Sequence, residues 1–261
     1  MKSDRWLFCI YFFFAASLTV SLIACGGGGD GNNNYLPITN DTVIEYNGTE
    51  VLEYGASVTT TVNDHTSLEN YGETDHVYLG LQDSNHDNLM KIVTVAEHGY
   101  PTNFSVASSR YFYNDSNDNI YLYLYETSGS FYPANPVDNV TGILYMPHRI
   151  AIGSSWGGPH GFLADGDYYV GNINFTVLGK EEIGVPFGSF DAVETFKIAF
   201  SGEYESHVNE STYKISAYGT IWIHPDIGVI KENETQERNI SGSLYTVIHE
   251  RHLSTINWAI N

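Results

Sequence analysis

One sequence pattern could provide a catalytic serine. Residues Gly153-Ser154-Ser155-Trp156-Gly157 match G-x-S-x-G, in which a strained turn between a strand and a helix raises the serine hydroxyl beside an oxyanion hole. The residues that follow, Gly158-Pro159-His160-Gly161, cannot start a stable helix. We therefore expect no enzymatic activity, and a hydrolase that uses Ser155 is the third of three functional hypotheses.

Two loops rich in oxygen side chains could bind Ca²⁺. In the first loop, Glu126 lies eleven residues after the opening aspartate, as in an EF-hand, but Ile120 replaces the glycine of the sharp bend. Residues 120–126 also alternate like a strand, which would carry Glu126 away from the loop. The alternative is a polar hairpin loop, and weak Ca²⁺ binding is the only cofactor hypothesis. The candidate ligands are Asp115, Asn117, Asn119, Asp83, Asn85 and Asp87.

Five tyrosines on two neighbouring strands could form an aromatic surface. They are Tyr111, Tyr113, Tyr121, Tyr123 and Tyr125. The last three occupy alternate positions, so we expect them on one face of their strand. Whether the first two share that face depends on the register of the hairpin, because a slip of one residue turns a strand's side chains to the other face. An exposed common face could stack against sugars, and the alternative is cross-strand packing.

The elements that would position these residues are strands. From residue 35 onward no segment has apolar residues at sustained helical spacing, whereas short alternating runs recur between clusters of Gly, Asn, Asp and Pro. The clearest runs are 120–126, 168–178, 192–200, 214–224 and 244–250. We predict an all-β fold, either an antiparallel β-sandwich or a curved open sheet of half-barrel type, with little helix apart from the N-terminal leader.

Two tight turns are predicted from proline and glycine. In His224-Pro225-Asp226-Ile227-Gly228, proline fixes φ at the start and Gly228 can adopt positive φ. This turn would place Ile223 and Ile221 opposite Val229 or Ile230 in a hairpin. A similar turn is expected at Val185-Pro186-Phe187-Gly188.

The N-terminus predicts export and lipid attachment. Lys2 and Arg5 precede an apolar run over 6–23, typical of a secretory signal. The run ends in Leu22-Ile23-Ala24-Cys25, which resembles the lipobox of bacterial lipoproteins. This resemblance implies transfer of a diacylglyceryl group to the Cys25 thiol and cleavage before it. The alternative is an uncleaved transmembrane anchor.

Processing at that site would divide the chain into three parts. These are a signal peptide over 1–24, a flexible Gly- and Asn-rich tether over 25–35, and a single antiparallel domain over 36–258. The domain would contain no disulfide and would depend on its hydrophobic core. Its acyl chains, with palmitate as one expected component, would hold it to a membrane of the bacterial envelope. We expect the outer membrane, with the domain facing the periplasm or the exterior.

The charge of the chain limits its partners. A net charge of −20 disfavours nucleic acid as a partner, because such binding requires a basic surface. It also disfavours contact of the domain with anionic headgroups, which leaves the acyl chains as the anchor. The acidity itself is expected to favour solubility.

Three blocks resemble, in order, those of the TapB-like group of exported bacterial proteins. They are Leu144-Tyr145-Met146-Pro147 with residues 152–156, then 185–192, then 222–231. The match is good over 144–231 and loose before it, and His224 departs from the aromatic-Ala pair that the group often has. The resemblance implies an antiparallel β fold in a domain of unknown function, and it implies no catalytic residue.

Two non-catalytic functions follow from these features. The preferred one is binding of an apolar small ligand or a lipid in a cavity of the curved sheet. The alternative is an interaction or adhesion module that binds a glycan or an envelope protein through the tyrosine-rich face.

Lipid attachment can be tested at Cys25. Replacement Cys25→Ala removes the only thiol at the predicted lipobox, so incorporation of radiolabelled palmitate should be lost and the leader should stay attached. Metabolic labelling and intact-mass measurement report both effects. Cys9→Ala is the matched control and should leave labelling unchanged, whereas labelling that survives Cys25→Ala would contradict the lipobox.

Overall fold

The computed structural model describes residues 43–54, 56–72, 88–98, 104–127, 130–138, 141–164, 167–185, 192–206, 213–225, 227–240 and 242–257. Cys25, Asp83, Asn85 and Asp87 lie outside these residues, as does most of the turn predicted at 185–188. Within the described ranges the secondary structure is β, and no helix there is long and apolar enough to cross a bilayer.

Thirteen strands account for most of the described chain. They are β1 Val43–Tyr54, β2 Ala56–Gly72, β3 Asn88–His98, β4 Phe104–Asn114, β5 Ile120–Thr127, β6 Ser130–Pro133, β7 Ile143–Met146, β8 Ser155–Ala164, β9 Asp167–Gly184, β10 Ala192–Ser206, β11 Tyr213–His224, β12 Gly228–Ile240 and β13 Ser243–Asn257.

The strands form an antiparallel ladder built mostly from sequential hairpins. The order is β6-β5-β4-β3-β2-β1-β13-β12-β11-β10-β9-β8, and β7 pairs with β5. One long-range pairing, β1 with β13, joins the two series of hairpins and matches Val43 with Asn257 at one end and Glu53 with Thr246 at the other. Among the described strands, the two ends of this order, β6 and β8, do not pair with each other. The predicted all-β, antiparallel class is confirmed.

Alternation along each strand places one face of the sheet in the core. In β10 the side chains of Ile198, Phe200 and Tyr204 are buried, whereas their neighbours Ser201, Glu203 and Glu205 are exposed. The core cluster also includes Phe112 of β4 and Leu122 of β5. Because β4 and β5 are far from β10 in strand order, the sheet must curve until its two halves pack face to face.

The turn predicted at His224–Gly228 is confirmed. Gly228 adopts φ +92°, and Ile223 lies opposite Val229 in the β11–β12 register. The register shifts between Trp222 and Ile223, which leaves Ile230 as an extra residue on β12. This bulge lets the adjacent Val229 and Ile230 both be buried.

The two edges of the sheet meet at a seam that ladder pairing does not close. The Gly161 backbone N–H on β8 donates to the Ala134 carbonyl at 2.7 Å, and Tyr168 Oη donates to the Pro133 carbonyl at 2.6 Å. Trp156 Nε1, also on β8, donates to the Tyr145 carbonyl on β7 at 3.0 Å. We call this contact between β6–β7 and β8–β9 the seam.

The core position of Ile223 can be tested by truncation. Ile223 is fully buried, so Ile223→Ala removes packed methylenes and leaves a cavity, and we expect a loss of about 2–5 kcal/mol in the free energy of unfolding. Chemical denaturation measures the change. Leu178→Ala, at a side chain that is 53% exposed, is the control and should cost less than about 0.5 kcal/mol.

Candidate functional site

A row of polar side chains lies on the inner face of β12. Glu232, Glu234, Gln236 and Arg238 are each no more than 2% exposed. They alternate with more exposed neighbours, so the pleat of the strand directs all four to the core. Buried charges are stable only when they are paired and hydrogen-bonded, so this row must be held together by polar contacts.

Hydrogen bonds run along the row and across to β13. Gln236 Nε2 donates to Glu234 Oε1 at 2.8 Å, and Arg238 Nε donates to Gln236 Oε1 at 2.9 Å. On β13, Arg251 lies opposite Glu232 in register and donates from Nε to Oε2 at 2.8 Å. The Glu232–Arg251 ion pair is almost completely excluded from solvent. Removal of either side chain would leave the other as a buried charge without its ionic partner, which is strongly destabilising.

The opposite wall adds a third buried guanidinium and a phenol. Arg110 of β4 and Tyr145 of β7 are both buried, and Arg110 interacts electrostatically with Tyr145, Arg251 and Glu232. Burial raises the pKa of Tyr145 well above its ordinary value, and the charges of Arg110, Glu232 and Arg251 also act on it. We call Arg110, Tyr145, Glu232, Glu234 and Arg251 the interior polar cluster, because it joins walls that are not neighbours in the ladder.

The interior polar cluster contains buried polar atoms that lack a hydrogen-bond partner in the described part of the chain. Among the described residues, neither Glu234 Oε2 nor the Tyr145 hydroxyl has a hydrogen-bond partner. Burial raises the pKa of Glu234 to about 7, and the nearby charge of Glu232 adds to the effect, whereas Gln236 and the arginines oppose it. Glu234 is therefore present in both protonated and ionised forms near neutral pH.

A Tyr-His-Tyr chain crosses the interior beside the interior polar cluster. His160 of β8 is 2% exposed; its Nε2 lies 2.7 Å from the Tyr125 hydroxyl and its Nδ1 lies 2.8 Å from the Tyr204 hydroxyl. Burial, assisted by the charge of Arg110, lowers the pKa of His160 to about 3. The ring is thus neutral, so one nitrogen donates and the other accepts. These bonds connect β5, β8 and β10.

Ser155 lacks the surroundings of a hydrolase nucleophile. It begins β8, and its hydroxyl lies 3.0 Å from that of Thr176 on β9. The preceding residues 151–154 form a turn, in which Ser154 Oγ accepts from the Ala151 N–H. A strand follows the serine where the nucleophile elbow requires a helix.

The first oxygen-rich loop is organised by its own hydrogen bonds. Asp115 Oδ1 accepts from the N–H groups of Asn117 and Asn119 at 2.8 and 2.9 Å, and Asp118 has φ +61°. Partial burial opposes ionisation of Asp115, but these bonds outweigh it and lower its pKa. Glu126 pairs with Ser109 and accepts from Tyr111 Oη, so it does not join the loop. The loop is a hairpin turn, and Ca²⁺ binding there stays a prediction.

The expectation of one common tyrosine face is wrong for Tyr125. The pairing of β4 with β5 places Tyr113 opposite Tyr121. The register shifts between Tyr111 and Phe112, which leaves Tyr123 as an extra residue on β5. Tyr121 and Tyr123 consequently share the outer face with Tyr113, and Tyr125 turns inward to His160. Tyr111 and Tyr123 are 2% and 1% exposed, which leaves them little surface for stacking on a sugar.

The interior polar cluster is the part of the site that sequence reasoning missed. Residues 231–239 are all polar and suggest a solvent-exposed strand. The sequence contains one signal of this burial. Ile230, Glu232 and Glu234 occupy alternate positions of one strand, so a buried Ile230 predicts that the two carboxylates face the same side.

Comparison with known proteins gives only loose structural likenesses. No protein-family model matches the chain, and no curated protein matches its sequence, so the similarity to the TapB-like group stays a resemblance of motifs. A predicted lipoprotein of Parabacteroides distasonis is similar with a TM-score of 0.45 and 13% identity, covering 88% of this chain and all of that one.

Two further solved structures are similar at lower scores. A predicted exported protein of Bacteroides fragilis with a YmcC-like fold has a TM-score of 0.37 and 12% identity over 91% of this chain and 100% of its own. An outer membrane channel of Pseudomonas putida has a TM-score of 0.25 and 11% identity over 87% of this chain and 100% of its own. Such values describe overall shape and carry no information about a site.

The raised pKa of Glu234 makes stability depend on pH in a defined direction. The folded chain retains this proton up to about pH 7, and the unfolded chain only to about 4.5, so the stabilising effect of the bound proton is complete below 4.5 and lost as pH rises through 7. Glu234→Gln removes this dependence. Relative to the variant, the native chain should lose about 3 kcal/mol between pH 4.5 and pH 8.

Urea unfolding of both chains at these two pH values measures the difference. Glu250→Gln, at an exposed position of β13, is the matched control and should parallel the native chain. An equal difference between native and Glu234→Gln chains at both pH values would contradict the raised pKa.

Proposed function

We propose that the chain is an exported, lipid-anchored protein of the bacterial envelope that binds a lipid-like small molecule between the two halves of its curved sheet, without catalysing a reaction. The location is supported by the leader that ends in Leu22-Ile23-Ala24-Cys25 and by the Gly- and Asn-rich tether after it. The outer membrane is the proposed site of the anchor.

One observation carries the binding function: charged and unsatisfied polar groups occupy an otherwise apolar interior. A buried ion pair such as Glu232–Arg251 adds little stability compared with apolar residues of similar size. The interior polar cluster is therefore poorly explained by folding alone. An apolar interior with a few convergent polar groups and a shifted pKa is typical of small-ligand sites.

The absence of catalysis is supported by the position of Ser155. Its hydroxyl approaches that of Thr176, and neither group is a general base at neutral pH. Adhesion through the tyrosines is less well supported than ligand binding, because Tyr111 and Tyr123 are buried.

Co-purification tests the binding function. The domain from Gly26 to Asn261, secreted without the lipidated cysteine, should yield a stoichiometric apolar compound after organic extraction and mass spectrometry. The same domain carrying Ile143→Asp, which places a charge in the core, should lose it if it still folds. Repeated extraction of folded native domain without any bound compound would contradict the proposal.

A further inference from the structure

We propose that the end of the sheet at which β1 begins docks on the bilayer that holds the lipid anchor, with Ile152 and Leu178 entering the boundary between headgroups and acyl chains. We call this end the tether end, because residues 25–42 lead from the anchor to Val43, the first residue of β1. The inference rests on the lipid anchor of the proposed function. It adds the surface by which the domain contacts the bilayer, which an anchor alone does not specify.

The strand order brings the segments that carry Ile152 and Leu178 to the tether end. All pairs along this order are antiparallel, so β13 ends where β1 begins, β12 begins there, and the alternation continues to β8. The end of β9 and the start of β8 are consequently at the tether end. Residues 147–154, which connect β7 to β8, lie there as well.

The register places Leu178 near the start of β1. A row of paired residues runs from Gly179, the neighbour of Leu178 on β9, to Asn47 of β1. It passes through Lys197, Trp222, Lys231 and His252. Asn47 lies four residues after Val43, and five ladder steps of about 4.8 Å separate the two strands, so Leu178 is within about 30 Å of Val43 along the sheet.

The tether end is therefore the end of the domain nearest to the anchor. Residues 25–42 can span no more than about 65 Å. The opposite end is farther away, since Leu244 at the start of β13 is about 40 Å along the strand from Asn257. Anchoring at Cys25 gives the tether end a high effective concentration at the bilayer, so a contact that is weak by itself is populated.

Two apolar side chains are exposed on adjacent segments of the tether end. Ile152 is 65% exposed and Leu178 is 53% exposed. Their segments are joined at Val177, whose N–H donates to the Ser154 carbonyl and whose carbonyl accepts from the Gly153 N–H, each at 2.9 Å. Single apolar residues scattered over a surface need no explanation, whereas neighbouring ones are typical of a contact surface.

Most of the accessible cations lie at the same end. Five lysines and arginines with described side chains are not buried, and the only one of these at the opposite end is Lys214 of β11. The four at the tether end are Arg149, Lys180, Lys197 and Lys231. Such side chains can rest their apolar stems on a surface while the charged group reaches a phosphate, as they do at membrane interfaces.

Carboxylates are mixed with these cations, which decides the kind of lipid. Lys180 pairs with Glu194 and Lys197 pairs with Glu181, and Glu182, Asp115 and Asp118 are further acids of the tether end. A surface with both signs of charge does not favour anionic headgroups, in agreement with the net charge of −20. It suits a zwitterionic phospholipid, whose headgroup carries a phosphate and an ammonium group together.

Spin labels at two leucines test the docking. The full chain carrying Leu178→Cys or Leu244→Cys is purified from bacterial membranes, labelled with a nitroxide and placed in phosphatidylcholine vesicles. Leu244 is the matched control, because it is 62% exposed and lies at the opposite end of the sheet. Collisions with oxygen, which concentrates in the bilayer, are compared with collisions with a water-soluble nickel chelate. We expect the oxygen-to-nickel ratio to be at least about threefold higher for Leu178→Cys than for Leu244→Cys, because only the first label enters the apolar boundary.

A charge at Ile152 tests the contact itself. Ile152→Asp, added to Leu178→Cys, should lower the ratio at least about twofold, because a carboxylate resists entry into the boundary. Leu244→Asp, added to Leu178→Cys, is the control and should leave the ratio unchanged. Near-ultraviolet circular dichroism checks the fold, and if Ile152→Asp unfolds the chain, the neutral change Ile152→Ser decides.

The outcomes separate docking from anchoring, because flotation of the vesicles reports the anchor independently. A chain that floats but gives equal ratios at the two labels would overturn the docking and leave the anchor in place. A higher ratio for Leu244→Cys would also overturn it, since the opposite end would then face the bilayer. A chain that does not float would overturn both the anchor and the docking. A ratio that Ile152→Asp leaves unchanged would overturn the assignment to Ile152.

Discussion

The pairing of β1 with β13 is the constraint on which the rest of the structure depends. It joins two series of hairpins that would otherwise be separate sheets, and it places β12 and β13 in the middle of the strand order. A central strand has no free edge, and once the sheet curves, one of its faces must be enclosed. Glu232 and Arg251 are therefore buried because of where their strands lie, although their own segments are polar.

The enclosed charges give the interior two opposite responses to pH. Burial favours the protonated form of Glu234 and the neutral form of His160, so acid relieves one group and penalises the other. A fall in pH therefore stabilises the protonated form that burial favours at Glu234 and opposes the neutral form that burial favours at His160. The Tyr125–His160–Tyr204 bonds connect β5, β8 and β10, and the Glu232–Arg251 pair connects β12 with β13.

Small irregularities decide which side chains reach this interior. The extra residue at Tyr123 changes the parity of β5 and turns Tyr125 toward His160. The extra residue at Ile230 on β12 lets the adjacent Val229 and Ile230 both be buried. Strict alternation predicted Tyr125 on the same face as Tyr121 and Tyr123. This prediction was wrong because a sequence pattern shows periodicity without showing where a ladder skips a residue. The His224–Gly228 turn was predictable because its geometry is set locally by proline and glycine.

The sequence by itself determined the β class, the antiparallel hairpins and the turn at Gly228, because alternation and turn chemistry act over a few neighbouring residues. The tertiary structure alone decided that Glu232, Glu234, Arg110 and Tyr145 share one interior. Arg110 and Tyr145 lie more than eighty positions before Glu232 and Glu234 in the chain, and the proximity of the two pairs depends on the β1–β13 pairing and on the curvature of the sheet. Both are long-range properties, and no local pattern of residue types specifies them.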